Sequence, residues 1–276
     1  MPKIKIKQSK IILTISLIVI CNGVILLSSL LNNTLKVEAA SGSTAVTQQI
    51  TAGTLNIASS ASISLTSVAV NVSAAQNATG NLGTVTVTDS RGTGLGWSTT
   101  ATSTNFVQIN TPVKTSGINN TVTSSGTYNN TVGGTYTVTI STGGAVGTAQ
   151  YTVSGLESQT ATVTGASAVI GTRGVIAAFG AATYSIGDSW TIRVDVLPVT
   201  GFSLTPGVVT TISGSGTNVT AGSAHTFIST ADATSIIVAS SGYGMGSYSN
   251  NPALQLVVPA AAYAGTYTAT ITETVS

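Results

Sequence analysis

Thr84-Val85-Thr86-Val87-Thr88-Asp89 alternates β-branched apolar residues with polar ones. On an extended backbone successive side chains point to opposite faces, so this run has one face to bury and one to solvate. Wound as a helix, it would place its valines on different sides of the axis. The same period recurs at residues 135–140, 190–196 and 267–275, with Gly, Asn and Ser between the runs. Helix-favouring Leu, Glu, Lys, Gln and Arg are scarce, and the pattern predicts an all-β chain. Only 6% of residues are charged and the mean hydropathy is +0.42, values that suit a membrane protein. Yet after residue 40 no apolar run approaches the roughly 18 residues that a spanning helix needs. The hydropathy comes instead from small apolar residues spread over strands. A chain of 276 residues is long enough for one large β core or two smaller ones.

Residues 1–39 read differently. Lys3, Lys5, Lys7 and Lys10 make a basic start, residues 11–31 are largely apolar, and Val37-Glu38-Ala39 ahead of Ala40 puts small residues where signal peptidase reads. The expectation is a secretory signal peptide over 1–39; the competing reading is an uncleaved anchor, because the apolar run is long enough to span. Cys21, the only cysteine, follows Ile18-Val19-Ile20 rather than the small residue a lipoprotein signal would want. Beyond the leader, Arg91, Lys114, Arg173 and Arg193 stand against Asp89, Glu157, Asp188, Asp195, Asp232 and Glu273, a net charge of −2. The pI near 8.7 is therefore a property of the leader. Four scattered cations make no basic patch for phosphates, so nucleic acid is not an expected partner. The membrane is expected as a transient contact, through the leader. With no cysteine after residue 39, packing and ladder hydrogen bonds must hold the exported chain.

Between residues 40 and 112 the expected strands are 55–57, 63–72, 84–88 and 99–107, with 77–81 as a turn. The texture then changes. Residues 133–140 and 149–153 read as a hairpin across a Gly-rich connection, and 184–196 supplies a further strand. This block has its own aromatics in Tyr136, Tyr151, Phe179, Tyr184 and Trp190, and Pro112 and Pro198 flank it. Residues 113–198 are therefore expected to form an inserted β domain, with 40–112 and 199–276 making one discontinuous β-sandwich around it. In the last part, 226–229 and 236–239 read as strands around an irregular loop at 242–246. Residues 254–258 and 265–275 read as a closing strand pair in which Tyr267, Ala269, Ile271, Glu273 and Val275 share one face and threonines the other. That final face should be covered by residues 68–72 and 85–87, and the threonine face solvated.

Two stretches carry a family resemblance. Asp89-Ser90-Arg91-Gly92-Thr93-Gly94-Leu95-Gly96-Trp97 and Pro259-Ala260-Ala261-Ala262-Tyr263-Ala264-Gly265-Thr266-Tyr267-Thr268-Ala269-Thr270 resemble the two motifs of the WxL domain of bacterial cell-wall surface proteins. The resemblance covers residues 45–112 and 200–276. Thr99 stands two residues after Trp97 where the family has Leu, and Glu273 stands where the second motif has Trp. The resemblance implies a WxL-like sandwich, a location outside the cell at the wall, and non-covalent attachment to peptidoglycan or another wall polymer.

Candidate contact residues for such a polymer are Trp97, Arg91, Asp89, Tyr243 and Tyr248. Trp97 can serve as a stacking platform for a sugar ring or as a core plug beneath its glycine-rich loop; burying so large a side chain contributes about 2–3 kcal/mol, which favours the plug. Asp89 and Arg91 can bind a polymer or fix the loop by a local ion pair. His225 is the only histidine and Cys21 lies in the leader, so the inventory is read as offering no Ser-His-Asp, Cys-His or zinc set. Asp188 and Asp195, the nearest carboxylates in the second block, would lie more than about 20 Å apart on a strand, too far for paired-carboxylate hydrolysis. The chain has no alternating Asp/Asn calcium loop, and no helix pattern follows the glycines at 242, 244 and 246, so no cofactor is expected. Asn-x-Ser/Thr sequons at Asn71, Asn77, Asn119, Asn129 and Asn218 are what a Thr- and Asn-rich chain produces by chance. The leading expectation is a secreted, non-enzymatic surface protein held to the wall. Its competitors are a self-assembling surface-layer or filament subunit, suggested by long Thr/Val strands with few edge-blocking Lys or Pro, and an adhesin or carbohydrate-binding module stacking ligand on Tyr243, Tyr248 or Trp190.

Overall fold

The computed structural model describes residues 44–117 and 120–276. The leader over 1–39, with Cys21, and the Asn119 sequon lie outside the described residues. The strands follow in chain order as β1 (Leu55–Ala58), β2 (Gln76–Asn81), β3 (Val85–Asp89), β4 (Trp97–Ser103), β5 (Phe106–Ile109), β6 (Val113–Ser116), β7 (Val122–Gly126) and β8 (Gly134–Thr142). Next come β9 (Gly144–Ala145), β10 (Gln150–Gly155), β11 (Gln159–Val163), β12 (Ala168–Ile170), β13 (Val175–Phe179), β14 (Thr183–Tyr184) and β15 (Ser189–Leu197). The chain ends with β16 (Phe202–Thr205), β17 (Thr210–Gly214), β18 (Val219–Ala221), β19 (His225–Thr226), β20 (Thr234–Ala239), β21 (Gly246–Asn250), β22 (Ala253–Val258) and β23 (Ile271–Val275). The protein is all-β, and the strand pairs are antiparallel throughout. Residues 44–50 have no regular secondary structure and are exposed.

Three four-stranded sheets, in the orders β1-β3-β21-β17, β19-β16-β22-β2 and β18-β20-β4-β23, enclose one hydrophobic cluster. Alternation decides which side chains enter it. Val85 and Val87 of β3 and Trp97 and Ala101 of β4 point inward, together with Phe202, Leu204, Leu254 and Leu256 from the second sheet. A second cluster forms around the sheet β11-β10-β8-β15-β5, with β12-β13-β7 packed against it. The expected hairpin is present, with Tyr151 opposite Ile140 and Val153 opposite Val138. The five aromatics named above lie in this cluster together with Tyr128: Tyr151 packs on Phe179 at 5.2 Å, Phe179 on Trp190 at 6.2 Å and Tyr184 on Trp190 at 5.8 Å between ring centres. The change of core falls between Phe106 and Val107 and between Val196 and Leu197, not at Pro112 and Pro198. The reason is that β5 pairs with the end of β15, Phe106 opposite Leu197 and Ile109 opposite Val194, and this two-stranded ribbon runs from one cluster into the other.

Several local expectations are corrected. Residues 63–72 form no strand; they run as an extended strap whose ties include Thr66 N–H to Thr79 O at 2.7 Å and Ala261 N–H to Asn71 O at 2.8 Å. Residues 77–81, expected as a turn, lie in β2, where a six-residue ladder to β22 overrides the turn preference of Asn and Gly. Gly80 packs closely under the strap, where a Cβ would sit 3.0 Å from the Leu65 side chain and 3.1 Å from Ser64 O. The expected strand 99–107 begins at Trp97 and breaks at Thr104 and Asn105 between β4 and β5. Of 226–229 only Thr226 is in a strand, because Ile228 N–H is turned to the Asp232 carboxylate. The two closing strands do not pair with each other: β22 lies between β16 and β2, whereas β23 pairs with β4. The inward face of the final strand is half-buried and its threonines are exposed, as the alternation requires.

Candidate functional site

The stretch 89–97 closes on itself through one ion pair. Residues two apart on a strand end share a face, and Arg91 folds back so that Nε donates to Asp89 Oδ1 at 3.0 Å and Nη2 to Oδ2 at 3.1 Å. The Arg91 backbone N–H also donates to Oδ1 at 3.0 Å, and Nη2 reaches the Gly96 carbonyl at 2.8 Å. Asp89 is buried at 3% exposure, and the hydrogen bonds from Arg91 hold its carboxyl below the usual carboxylate range against the opposing effect of burial. The pair therefore serves to hold the loop.

Trp97 is buried at 4% exposure. Its indole N–H donates to Gly244 O at 3.0 Å and its ring tilts against Tyr248 at 5.8 Å. Tyr248 is fully buried, its hydroxyl 2.7 Å from Ser215 O and 2.9 Å from Met245 O, which share its one proton, and burial pushes its pKa up. Neither ring offers a face to solvent, so the expected contact role of Trp97 and Tyr248 is corrected to a supporting one; the core-plug alternative for Trp97 describes its position. Trp190, the other candidate stacker, is buried at 2% with the Lys114 ammonium 3.8 Å from its ring centre, and that ammonium pairs with Asp188 at 3.3 Å.

The 91–97 loop interlocks with the loop over 240–246. Gly242 N–H donates to Gly94 O at 2.6 Å. A Cβ on Gly96, where φ is +73°, would lie 2.5 Å from Ala239 O, and one on Gly244, φ +89°, would lie 2.6 Å from Trp97 Nε1. Glycine at these two positions is what lets the loops meet. Their tips carry Leu95 at 71%, Tyr243 at 40% and Met245 at 53% exposure. Of the sequence candidates, Tyr243 therefore stands at the surface, Arg91 is part-exposed, and Asp89, Trp97 and Tyr248 form the buried mount. Leu95 and Met245 are not among those candidates. A large apolar residue between two glycines is the available signal for both, Leu95 between Gly94 and Gly96 and Met245 between Gly244 and Gly246.

A single histidine suffices for a Ser-His-Asp set, so the inventory does not dispose of one. The structure places His225 Nε2 at 2.8 Å from Asp232 Oδ2, with the ring edge-on to Phe227 at 5.5 Å. Asp232 also accepts the Ile228 N–H at 2.8 Å, and that bond with the one from His225 holds its carboxyl below the usual range. The pair closes the 225–232 turn. Asp188 and Asp195 have separate cationic partners, Lys114 and Arg193. Among the described residues no three His, Cys, Asp or Glu side chains converge as metal ligands would.

No protein-family model, curated protein or solved structure matches the chain.

Proposed function

We propose that this is a non-enzymatic bacterial surface protein, exported by its leader and held non-covalently on a wall polymer, peptidoglycan first among the candidates, by the WxL-like part of the chain. One observation supports the reading. The segments that directly follow the two WxL-like stretches, far apart in sequence, pair in one ladder: Ser98, next to Trp97, exchanges both backbone hydrogen bonds with Ser276 at 2.9 and 3.1 Å, and Thr99 faces Val275. The contact surface in this reading is the rigid tip of the interlocked loops, Leu95, Tyr243 and Met245, beside the part-exposed Arg91. Apolar and aromatic groups stack on the apolar faces of sugar rings, and a guanidinium edge meets the carboxylates of stem peptides. Cosedimentation with purified peptidoglycan tests it. The wild-type chain should sediment, a Leu95→Ser/Tyr243→Ser double variant should stay in solution, and Trp97→Phe should still bind. Wild-type protein that remains in the supernatant, or a double variant that sediments as well as wild type, defeats the proposal.

A further inference from the structure

A groove of about 860 Å³ opens between the 60–71 strap and residues 262–273, floored by Phe106, Leu197, Phe202, Leu254 and Leu256. The wall at 262–273 ends in β23, which contributes Ile271 and Glu273 to the groove and has an unused edge. Ser276 pairs with Ser98 through both backbone groups, Thr274 lies opposite Thr100, Thr272 opposite Thr102, and Thr270 O accepts from Thr104 N–H. In an antiparallel ladder such pairs alternate, so the even-numbered residues turn their N–H and C=O groups to β4. The backbone groups of Ile271, Glu273 and Val275 then point outward, and among the described residues no strand pairs with that side of β23. An apolar floor beside a free strand edge fits an extended peptide: backbone bonds satisfy the edge, and alternate side chains fill the floor. An acyl chain would fill the floor and leave the edge unpaired.

We infer that this groove accepts a β-strand from a second copy of the chain, the segment over residues 44–52. Among the groove's lining residues only Glu273 is charged, and the segment Thr44-Ala45-Val46-Thr47-Gln48-Gln49-Ile50-Thr51-Ala52 carries no charge at all. Burial there strands no ion of the incoming strand and meets no like-charge repulsion. Val46 and Ile50 are 88% and 90% exposed, and a spacing of four puts both on one face of a strand, about 13 Å apart, ready to enter the floor. Neither β23 nor the strap carries the Lys or Pro that blunts strand edges.

The inference does not depend on wall attachment. Light scattering on the exported form of the chain, from Ala40 onward, across a concentration series tests it, with a synthetic peptide of residues 44–52 as probe. Wild type should form dimers and longer species that grow with concentration, and excess peptide should dissolve them. Val46→Lys/Ile50→Lys should be monomeric and should still bind the peptide. Glu273→Pro removes an outward N–H without touching the bonds to β4; it should be monomeric and fail to bind the peptide, while unchanged Trp97 emission shows that it is folded. If Glu273→Pro misfolds, Ala269→Arg in the groove wall takes its place with the same expectation. A wild-type monomer at every concentration, oligomers that survive the Val46/Ile50 variant, or no peptide binding to that variant would each overturn the inference. Peptidoglycan cosedimentation of the monomeric Val46→Lys/Ile50→Lys chain keeps the two ideas apart, since wall binding should persist there.

Discussion

Replacing Trp97 with alanine removes the largest side chain that β4 contributes to the first core. Burial of the ring is worth about 2–3 kcal/mol. Its tilted contact with Tyr248 adds about 1 kcal/mol, and the indole bond to Gly244 O about 1 kcal/mol more. Together these fall at the upper part of the roughly 3–5 kcal/mol seen for aromatic-to-alanine changes in cores. That is a large share of the roughly 5–15 kcal/mol typical of whole domains. Trp97→Phe separates the terms: it keeps most of the ring contact and leaves the Gly244 carbonyl without its donor, for an expected loss of about 1–2 kcal/mol. Urea unfolding followed by far-ultraviolet circular dichroism measures both, provided the slope with denaturant is unchanged. A loss under about 1 kcal/mol for Trp97→Ala, well short of the cost of emptying a core site, would mean that the ring does not anchor the loop, and would refute the placement of Asp89, Trp97 and Tyr248 as a buried mount.

Thr99 Oγ1 is buried with no hydrogen-bond partner among the described residues, so Thr99→Val should raise stability by about 1 kcal/mol in the same assay; a loss would show that the hydroxyl has a partner. The Asp89 carboxyl is depressed by its bonds from Arg91, so it contributes stability above the ordinary carboxylate pKa that is lost as pH falls through its lowered folded value. Asp89→Asn should therefore lower the unfolding midpoint at neutral pH and converge with wild type in acid, and a constant difference at all pH values would contradict this. Glu273 has the opposite sign: burial raises its pKa, so its favourable contribution is complete below its unfolded pKa and lost as pH rises through the folded one. Glu273→Gln should be more stable than wild type at neutral pH, with the gain vanishing in acid. Finally, the two tryptophans report separately, Trp97 in the first cluster and Trp190 in the second. Trp190→Phe and Trp97→Phe chains should show different fluorescence midpoints in urea after correction for each substitution, whereas coincident curves would mean one cooperative unit.

Much of the architecture is legible in the sequence because period-two alternation reports which side chains are buried. Val85, Val87, Tyr136, Val138, Ile192 and Val194 all face a core, and the 134–155 hairpin can be read because its partners are neighbours in sequence. Alternation says nothing about which distant strand completes a ladder. Residues 63–72 alternate in two short runs, Ile63 and Leu65 and then, one step out of phase, Val68, Val70 and Val72, and the edge of β2 is only touched there, at Thr66 and Thr79. Gln76–Asn81, rich in turn formers, becomes a strand because β22 lies beside it. The point where the core changes is hidden for a related reason: Pro112 and Pro198 mark where chain texture changes, but the ribbon of β5 and β15 carries the first core's last contacts, Phe106 and Leu197, to the ends of a shared ladder.

The candidate site divides along the same physical line. The Asp89–Arg91 pair can be anticipated, since residues two apart at a strand end share a face and opposite charges there can close a loop. The partner of that loop cannot, because the contact of Gly94 with Gly242 and of Trp97 with Gly244 joins distant parts of the chain, 147 positions apart for Trp97, through backbone atoms that carry no side-chain signature. The groove is further still from the sequence. Which edge of β23 is free depends on the parity of its pairing with β4, and a shift of one residue would exchange the inward and outward backbone groups and turn Ile271 and Val275 away from the core as well. A single register therefore sets both the half-buried face of the last strand and the direction of its unpaired edge, so a substitution that slips β23 by one position would abolish the groove and the first core's closure together.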